Sequence, residues 1–125
     1  MNVDDIIDAA HHAGMSAFHS AKPTPMAVQS SGLFESFDPS KPYEVVDDGV
    51  CGFAWITIAK RQMKFVNQLK KSGIGDRDVY GTYTIRPMGG ASHSQSMERK
   101  KAYCQAFANV LREHDIKCGV CSRLD

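Results

Sequence analysis

The residues best suited to chemistry are three possible zinc ligands near the end of the sequence, His114, Cys118 and Cys121. Zinc takes four ligands in a tetrahedron, and Cys51 or Cys104 is available as the fourth. If this segment is a strand, alternation sends Cys118 and Cys121 to opposite faces, because they are three residues apart. A single C-x2-C without a second pair is also a weak zinc signal. We therefore interpret the cysteines as free structural thiols, with zinc or redox chemistry as alternatives, and predict no metal site.

Cysteine or histidine catalysis is a second option. Cys51 could act as a nucleophile with a distant histidine base, but a cysteine in an apolar strand is more often an inert core residue. His11, His12 and His19 lie on one predicted helix without the spacing of four that a shared metal needs, so we expect them to face solvent. The sequence contains no HExxH, GxSxG, P-loop or GxGxxG motif. We predict no catalytic residue and no cofactor, and favour a protein that is not an enzyme.

Basic residues offer a third chemistry, the binding of an anion. Residues 60–77 carry a net charge of +5, and a second basic cluster at 99–101 lies near a helix start, where free backbone amides favour an anion. If the last strand runs beside this helix, polar residues of both converge on a small anionic ligand; the candidates are Gln95, Ser96, Arg99, Lys100 and Arg123. The two arginines would offer planar forks for phosphate or carboxylate. The alternative is a solvated helix surface, with Arg123 tying down the chain end.

The charge of the chain is divided between its two halves. Residues 1–50 carry −6 and residues 51–125 carry +7, although the total is only +1. This division indicates either a polar partner or two halves that attract each other. We do not expect nucleic acid as a partner, because the chain has no overall positive excess and no known binding motif.

Length and hydropathy predict a single domain. The chain has 125 residues, of which 42% are hydrophobic, enough for a core without disulfides. No segment approaches the roughly 18 consecutive apolar residues of a membrane span, so we expect no membrane association. The acidic start differs from a signal peptide, and we expect a cytosolic protein.

Hydrophobic periodicity predicts the elements that position these residues. Steps of three and four predict helices at 4–21, 60–72 and from a cap at Ser92 or Ser94 to about His114. A strongly apolar run predicts a strand at 50–59, alternation predicts one at 79–86, and short strands are expected at 26–29 and 117–123. We expect Asp4 or Asp5 to cap the first helix, Met63 to face inward, and Lys100 to stay in solvent. Residues 43–59 are predicted to form a hairpin through Asp47-Asp48-Gly49. The fold class is α+β, one domain over 1–125, with three helices on a mixed or mainly antiparallel sheet of about four to five strands.

An irregular loop at 29–42 is predicted to carry apolar side chains to the body of the protein or to a partner. The candidate partner-binding residues combine this loop with the basic second helix: Leu33, Phe34, Phe37, Lys64 and Lys71. They suit binding to another protein or to a second copy of the chain, giving a homo-oligomer.

Four stretches together resemble a known family. They are residues 22–26 (KPTPM), 48–55 (DGVCGFAW), 95–103 (QSMERKKAY) and 122–125 (SRLD). The combination is similar to a family of small, functionally unassigned proteins of tailed bacteriophages, and the resemblance covers most of the chain. It implies a product that works in the cytoplasm of an infected host or in the virion, and it carries no activity to transfer. At residues 118–121 this chain has CGVC where the family more usually has a Tyr-Ala-Gly run.

Two functional hypotheses follow. The first is a non-enzymatic bacteriophage protein that acts by binding a phage or host protein, as a small virion component or as a host-directed accessory factor. The second is a protein that binds and sequesters a small nucleotide-like anion through the candidate residues at the third helix. A cysteine-dependent hydrolase is a third, less favoured interpretation.

Overall fold

The computed structural model describes residues 2–29 and 36–125, so the predicted partner residues Leu33 and Phe34 lie outside the described part of the chain. Three helices and six strands follow one another, with a 3₁₀ helix at Gly89–His93 before the third helix. In chain order they are α1 (Val3–Ser20), β1 (Met26–Val28), β2 (Glu44–Val46), β3 (Gly52–Ile58), α2 (Met63–Lys71), β4 (Asp76–Arg77), β5 (Tyr83–Ile85), α3 (Met97–Glu113) and β6 (Cys118–Leu124). No helix in these residues is long and apolar enough to cross a membrane.

The main sheet has four antiparallel strands in the order β4-β5-β3-β6. From β3 onward the chain runs strand, helix, strand, strand, helix, strand, which is the split β-α-β arrangement. The first helix and a separate two-stranded sheet of β1 and β2 precede it. The predicted α+β class, with three helices, is confirmed.

Helices cover one face of the main sheet. Ala54, Ile56 and Ile58 of β3 are buried in the core with Phe107 and Leu111 of α3. The other face of β3 carries Phe53, Trp55 and Thr57, which are exposed or half-buried, because side chains alternate along a strand. We call this second face the open face.

The first helix packs closely on α3 through small residues. Ala10 is fully buried, and a Cβ atom placed on Gly14 would come within 2.7 Å of the Tyr103 ring. Above this contact, Nδ1 of His11 lies 2.6 Å from the Tyr103 hydroxyl oxygen, so the prediction that His11 faces solvent is wrong. The sequence pattern placed small residues on this helix face but did not reveal that an aromatic ring from α3 fills the space.

The predicted hairpin over 43–59 is wrong. β2 pairs with β1, with Met26 opposite Val46, and not with β3. The longer strand β6 takes this place, because it pairs with all seven residues of β3 whereas β2 is only three residues long. Gly49 redirects the chain after β2 with a positive φ of 74°, where a Cβ would lie 2.7 Å from the carbonyl oxygen of Thr24.

The predicted strand over 79–86 is shortened to Tyr83–Ile85, and its first residues form the tip of the β4–β5 turn. The Asp78 carboxylate accepts hydrogen bonds from the amides of Tyr80 and Thr82 at 2.8 and 3.0 Å. Such local bonds compete with strand pairing, which explains the error. Val79 and Tyr80 are therefore 93% and 87% exposed.

Three details of the helices also differ from prediction. Ser96, rather than Ser92 or Ser94, caps α3 by accepting a hydrogen bond from the amide of Arg99. Asn2, rather than Asp4 or Asp5, caps α1 by accepting a hydrogen bond from the amide of Asp5. Met63 is half exposed at the start of α2, and Phe65 is buried in its place, because the rotation per residue of an α-helix puts Phe65, Val66 and Leu69 on one face and Met63 on the other.

Candidate functional site

A cleft opens where the pairing of β3 is interrupted. Ile56 pairs with Ile85 of β5, and Cys51 forms an isolated bridge with Ser96. Between these points the described residues place no strand beside Phe53–Trp55 on that side, because the chain leaves the sheet after β5 and returns at α3. The resulting cleft has a volume of about 550 Å³.

The cleft combines aromatic side chains with cations. We name it the Phe53 cleft, and its principal lining residues are Phe53, Trp55, Tyr80, Arg86, Lys100 and Arg123. Asp78 also lines it, although its carboxylate is engaged by the amides of the β4–β5 turn. Three cations against one carboxylate leave a positive excess, which favours an anionic ligand.

Strand register places Arg123 beside Phe53. The two residues are partners in the β3–β6 ladder, so their side chains leave the sheet on the same, open face. The guanidinium carbon of Arg123 lies 5.2 Å from the centroid of the Phe53 ring, within the range of a cation–π contact. The ladder thus holds a cation and an aromatic ring side by side at the cleft.

Lys100 brings a second cation to the same ring from α3. Its Nζ lies 4.8 Å from the centroid of Phe53, and the residue is only 7% exposed. Within residues 2–29 and 36–125, no carboxylate lies within salt-bridge distance of this amine. The prediction that Lys100 stays in solvent is wrong, because its side chain reaches from α3 to the ring of Phe53. The stem of Lys100 is packed, whereas its amine is not among the fully buried polar atoms and reaches the cleft, so it is available to an anion bound there.

Arg99, adjacent in sequence, has a different role. Its Nε donates to Oδ1 of Asp48 at 2.9 Å and its Nη1 donates to the carbonyl oxygen of Phe18 at 3.1 Å. Ser96 is buried, accepts a hydrogen bond from the Arg99 amide and donates its hydroxyl to the carbonyl oxygen of Asp48. These bonds fasten the start of α3 to the acidic first half of the chain.

The five predicted ligand residues therefore separate into two groups. Lys100 and Arg123 line the Phe53 cleft. Arg99 and Ser96 are occupied by structural bonds, and Gln95 has an exposed side chain while its carbonyl oxygen accepts a bond from the Gly52 amide.

Sequence reasoning missed Phe53, Trp55, Tyr80 and Arg86 as cleft residues. The alternation of side chains along β3 could have indicated Trp55. Phe53 and Trp55 share one face of the strand, opposite the face that is buried in the core. Arg86 follows β5 directly, at the point where the chain leaves the sheet. Nothing in the local sequence indicates that the turn at Tyr80 reaches the same cleft, because that depends on the pairing of β4 with β5.

The remaining candidates lie away from this cleft. Phe37 is 48% exposed and contacts Tyr43 edge-on, with ring centroids 5.3 Å apart. Lys64 and Lys71 are exposed on α2. Within the described residues, none of these side chains lines the cleft.

The four cysteines are free thiols. Cys118 lies opposite Ile58 and Cys121 opposite Trp55, so alternation directs their side chains to different faces. In the described part of the chain, no group of three or more His, Cys, Asp or Glu side chains is arranged to hold a metal ion. Cys51 is exposed rather than in the core, because it precedes β3.

Burial makes Cys104 a poor nucleophile. It is fully buried, and this desolvation raises the pKa of its thiol to about 12, against a smaller lowering by the charge of Lys100. Burial likewise raises the pKa of the Cys118 thiol, with Arg112 opposing the shift. A thiol reacts as its thiolate, so neither residue suits a cysteine-dependent hydrolase.

Comparison with known proteins found no matching family model, no similar curated protein and no similar solved structure. The resemblance to small proteins of tailed bacteriophages stays a prediction from the sequence, together with the location in the host cytoplasm or virion.

Proposed function

We propose that this protein binds a small anion that carries a planar ring, of the nucleotide class, in the Phe53 cleft. The observation that carries the proposal is the placement of two cations, Lys100 and Arg123, against one aromatic ring at the edge of an open cleft. A phosphorylated ring compound matches both properties of this surface, charge and flat apolar area.

The cations supply the recognition of the charged group. The ammonium group of Lys100 donates up to three hydrogen bonds, and the guanidinium of Arg123 offers a planar fork suited to two phosphate oxygens. Arg86 lies on the same cleft and adds a third positive charge. Because the stem of Lys100 is packed against the protein, its ammonium group is held at the cleft and does not move freely in solvent.

The aromatic residues supply the recognition of the ring. Phe53 is 42% exposed and Trp55 is half-buried, so both retain surface for stacking. Tyr80 stands at the tip of the β4–β5 turn and lines the same cleft. A volume of about 550 Å³ falls in the range of small-ligand pockets.

The residues that line this cleft are suited to binding a ligand rather than to catalysing its reaction. None of the described residues that line it is a histidine or a cysteine, and its carboxylate, Asp78, is engaged in turn hydrogen bonds. We therefore favour sequestration of the ligand by a protein that is not an enzyme. The bacteriophage context inferred from the sequence fits a factor that captures a nucleotide-like signal in an infected host. Binding of a phage or host protein remains the other hypothesis, and its candidate residues do not lie at this cleft.

A thermal-shift screen tests the proposal, using nucleoside mono-, di- and triphosphates, cyclic mono- and dinucleotides and inorganic phosphate. A ligand at 100 times its dissociation constant stabilises the folded state by about 2.7 kcal/mol, on the order of 10 °C for a domain of this size. We expect at least one nucleotide to raise the melting temperature of the wild type more than inorganic phosphate does. No shift with any member of the panel would overturn the proposal.

A further inference from the structure

The outer edge of β6 is the longest unpaired strand edge in the described part of the chain. The carbonyl oxygen of Lys117 accepts a bond from the Ala59 amide, and the amide of Asp125 donates to the carbonyl oxygen of Cys51. Odd-numbered residues therefore direct their backbone groups toward β3. Because these directions alternate in an antiparallel ladder, the backbone groups that point outward belong to Cys118, Val120, Ser122 and Leu124.

Two of the usual protections against pairing, a proline and a bulge, are absent from this edge. Its seven residues contain no proline, and the unbroken register with β3 shows that it has no bulge. Its second half is exposed, including Leu124 at 65%. A long, regular edge of this kind is a template for another strand.

We propose that a second copy of this chain pairs with this edge, β6 against β6, antiparallel about a two-fold axis at Cys121. In this register Ser122 faces Val120 of the second copy and Leu124 faces its Cys118. All four residues direct backbone groups outward, so each pair can exchange hydrogen bonds. Cys121 then faces its own counterpart in a pair without backbone bonds.

Charge selects this register. It places Asp125 opposite Lys117 of the second copy, twice by symmetry, and Arg123 opposite Gly119, which leaves space for the long side chain. Moving the axis to Val120 would place Arg123 opposite Lys117, two like charges, and Asp125 opposite Asp115. Moving it to Ser122 would place Asp125 opposite Gly119 and lose both ion pairs.

One existing contact lies at the end of this edge. Nη2 of Arg112 donates to the carbonyl oxygen of Cys118 at 3.1 Å. A carbonyl oxygen has two lone pairs, so it can also accept the amide of Leu124 from the second copy. The dimer would extend the four-stranded sheet to eight strands and bring the two open faces side by side.

Cross-linking and light scattering test this inference. Opposed Cα atoms in a pair without backbone bonds are about 4.5 Å apart, close enough for a disulfide. Diamide takes up the two thiol protons and two electrons as the disulfide forms, so it should link wild-type dimers. We expect Cys51→Ser to cross-link like the wild type and Cys121→Ser to remain uncross-linked while still dimeric by light scattering. A monomer at every concentration, or cross-linking that survives Cys121→Ser, would overturn the inference.

Charge reversal tests the register by itself. We expect Lys117→Glu to raise the dimer dissociation constant about tenfold, because it sets two pairs of like charges across the axis. The exchange Lys117→Glu with Asp125→Lys should return it close to the wild-type value. Ser122→Pro, which removes an outward amide, should give a folded monomer. Failure of the exchange to restore dimerisation would overturn this register.

Discussion

Nζ of Lys100 and the ring of Phe53 lie 4.8 Å apart, which joins the first turns of α3 to the strand β3 at the Phe53 cleft. The lysine is nearly as shielded as a core residue, yet its charged end faces an opening. A lysine whose stem is packed and whose amine opens onto a cleft is held in position to meet a ligand anion.

Replacing Lys100 by methionine separates folding from binding. Methionine retains the length and the packed apolar stem, so we expect the free energy of unfolding to stay close to that of the wild type. Affinity for the nucleotide found in the screen should fall about 10- to 100-fold, the value of a hydrogen bond to a charged group. Isothermal titration calorimetry and urea unfolding measure the two effects. Lys101→Met, on the exposed side of the same helix, is the matched control and should bind normally.

Phe53→Leu tests the role of the ring. Loss of stacking should lower affinity for the nucleotide by roughly tenfold while inorganic phosphate, which has no ring, binds as before. Tyr43→Leu removes an exposed aromatic residue away from the cleft and should leave affinity unchanged. Equal losses for nucleotide and phosphate would count against stacking on Phe53.

The packing of α1 on α3 can be tested at Gly14. We expect Gly14→Ala to destabilise the protein by about 1–2 kcal/mol, because overpacking against Tyr103 outweighs the better helix propensity of alanine. Urea unfolding measures this difference. Ser16→Ala, at an exposed position of the same helix, should change stability by less than about 0.5 kcal/mol. Unchanged or higher stability of Gly14→Ala would show that the Tyr103 ring can move aside.

The Cys104 thiol should make stability depend on pH in the alkaline range. Its pKa is raised to about 12 in the folded protein from an ordinary value of 9.0, so the unfolded chain loses this proton first. The contribution of the protonated Cys104 thiol to the free energy of unfolding is fully present below pH 9 and is lost progressively as pH rises toward 12. Urea unfolding from pH 8 to 10.5 should show a decline that is smaller in Cys104→Ala, measured relative to its own stability at pH 8. An identical decline in both proteins would contradict the burial of this thiol.

Fold class was accessible from the sequence because it depends on local periodicity. Apolar residues recur at steps of three and four in α1 and α3, and β3 is a strongly apolar run. The existence of these three elements was predicted correctly. Strand pairing was not accessible, because β6 reaches β3 from the far end of the sequence and displaces the nearby β2. The pattern of residues within a short segment does not show which of two strands, one near and one distant in sequence, will pair with it.

The candidate site was only partly accessible for the same reason. Arg99 and Lys100 are adjacent and chemically similar, yet one bonds Asp48 and the other lies under Phe53. The helix rotates consecutive residues by 100°, so the orientation in which α3 packs about its own axis decides which cation meets the cleft. Sequence pattern identified the cluster of cations, and only the packing distinguished its members.

Trp55 provides the most direct measurement of the central claim. It is the only tryptophan in the chain and it lines the Phe53 cleft, so its fluorescence reports directly on this site. Titration with the nucleotide that gives the largest thermal shift should change Trp55 emission saturably, and Lys100→Met should move the midpoint at least about tenfold higher. A ligand that stabilises the protein without altering Trp55 emission, or that binds wild type and Lys100→Met equally, would contradict the assignment of the cleft.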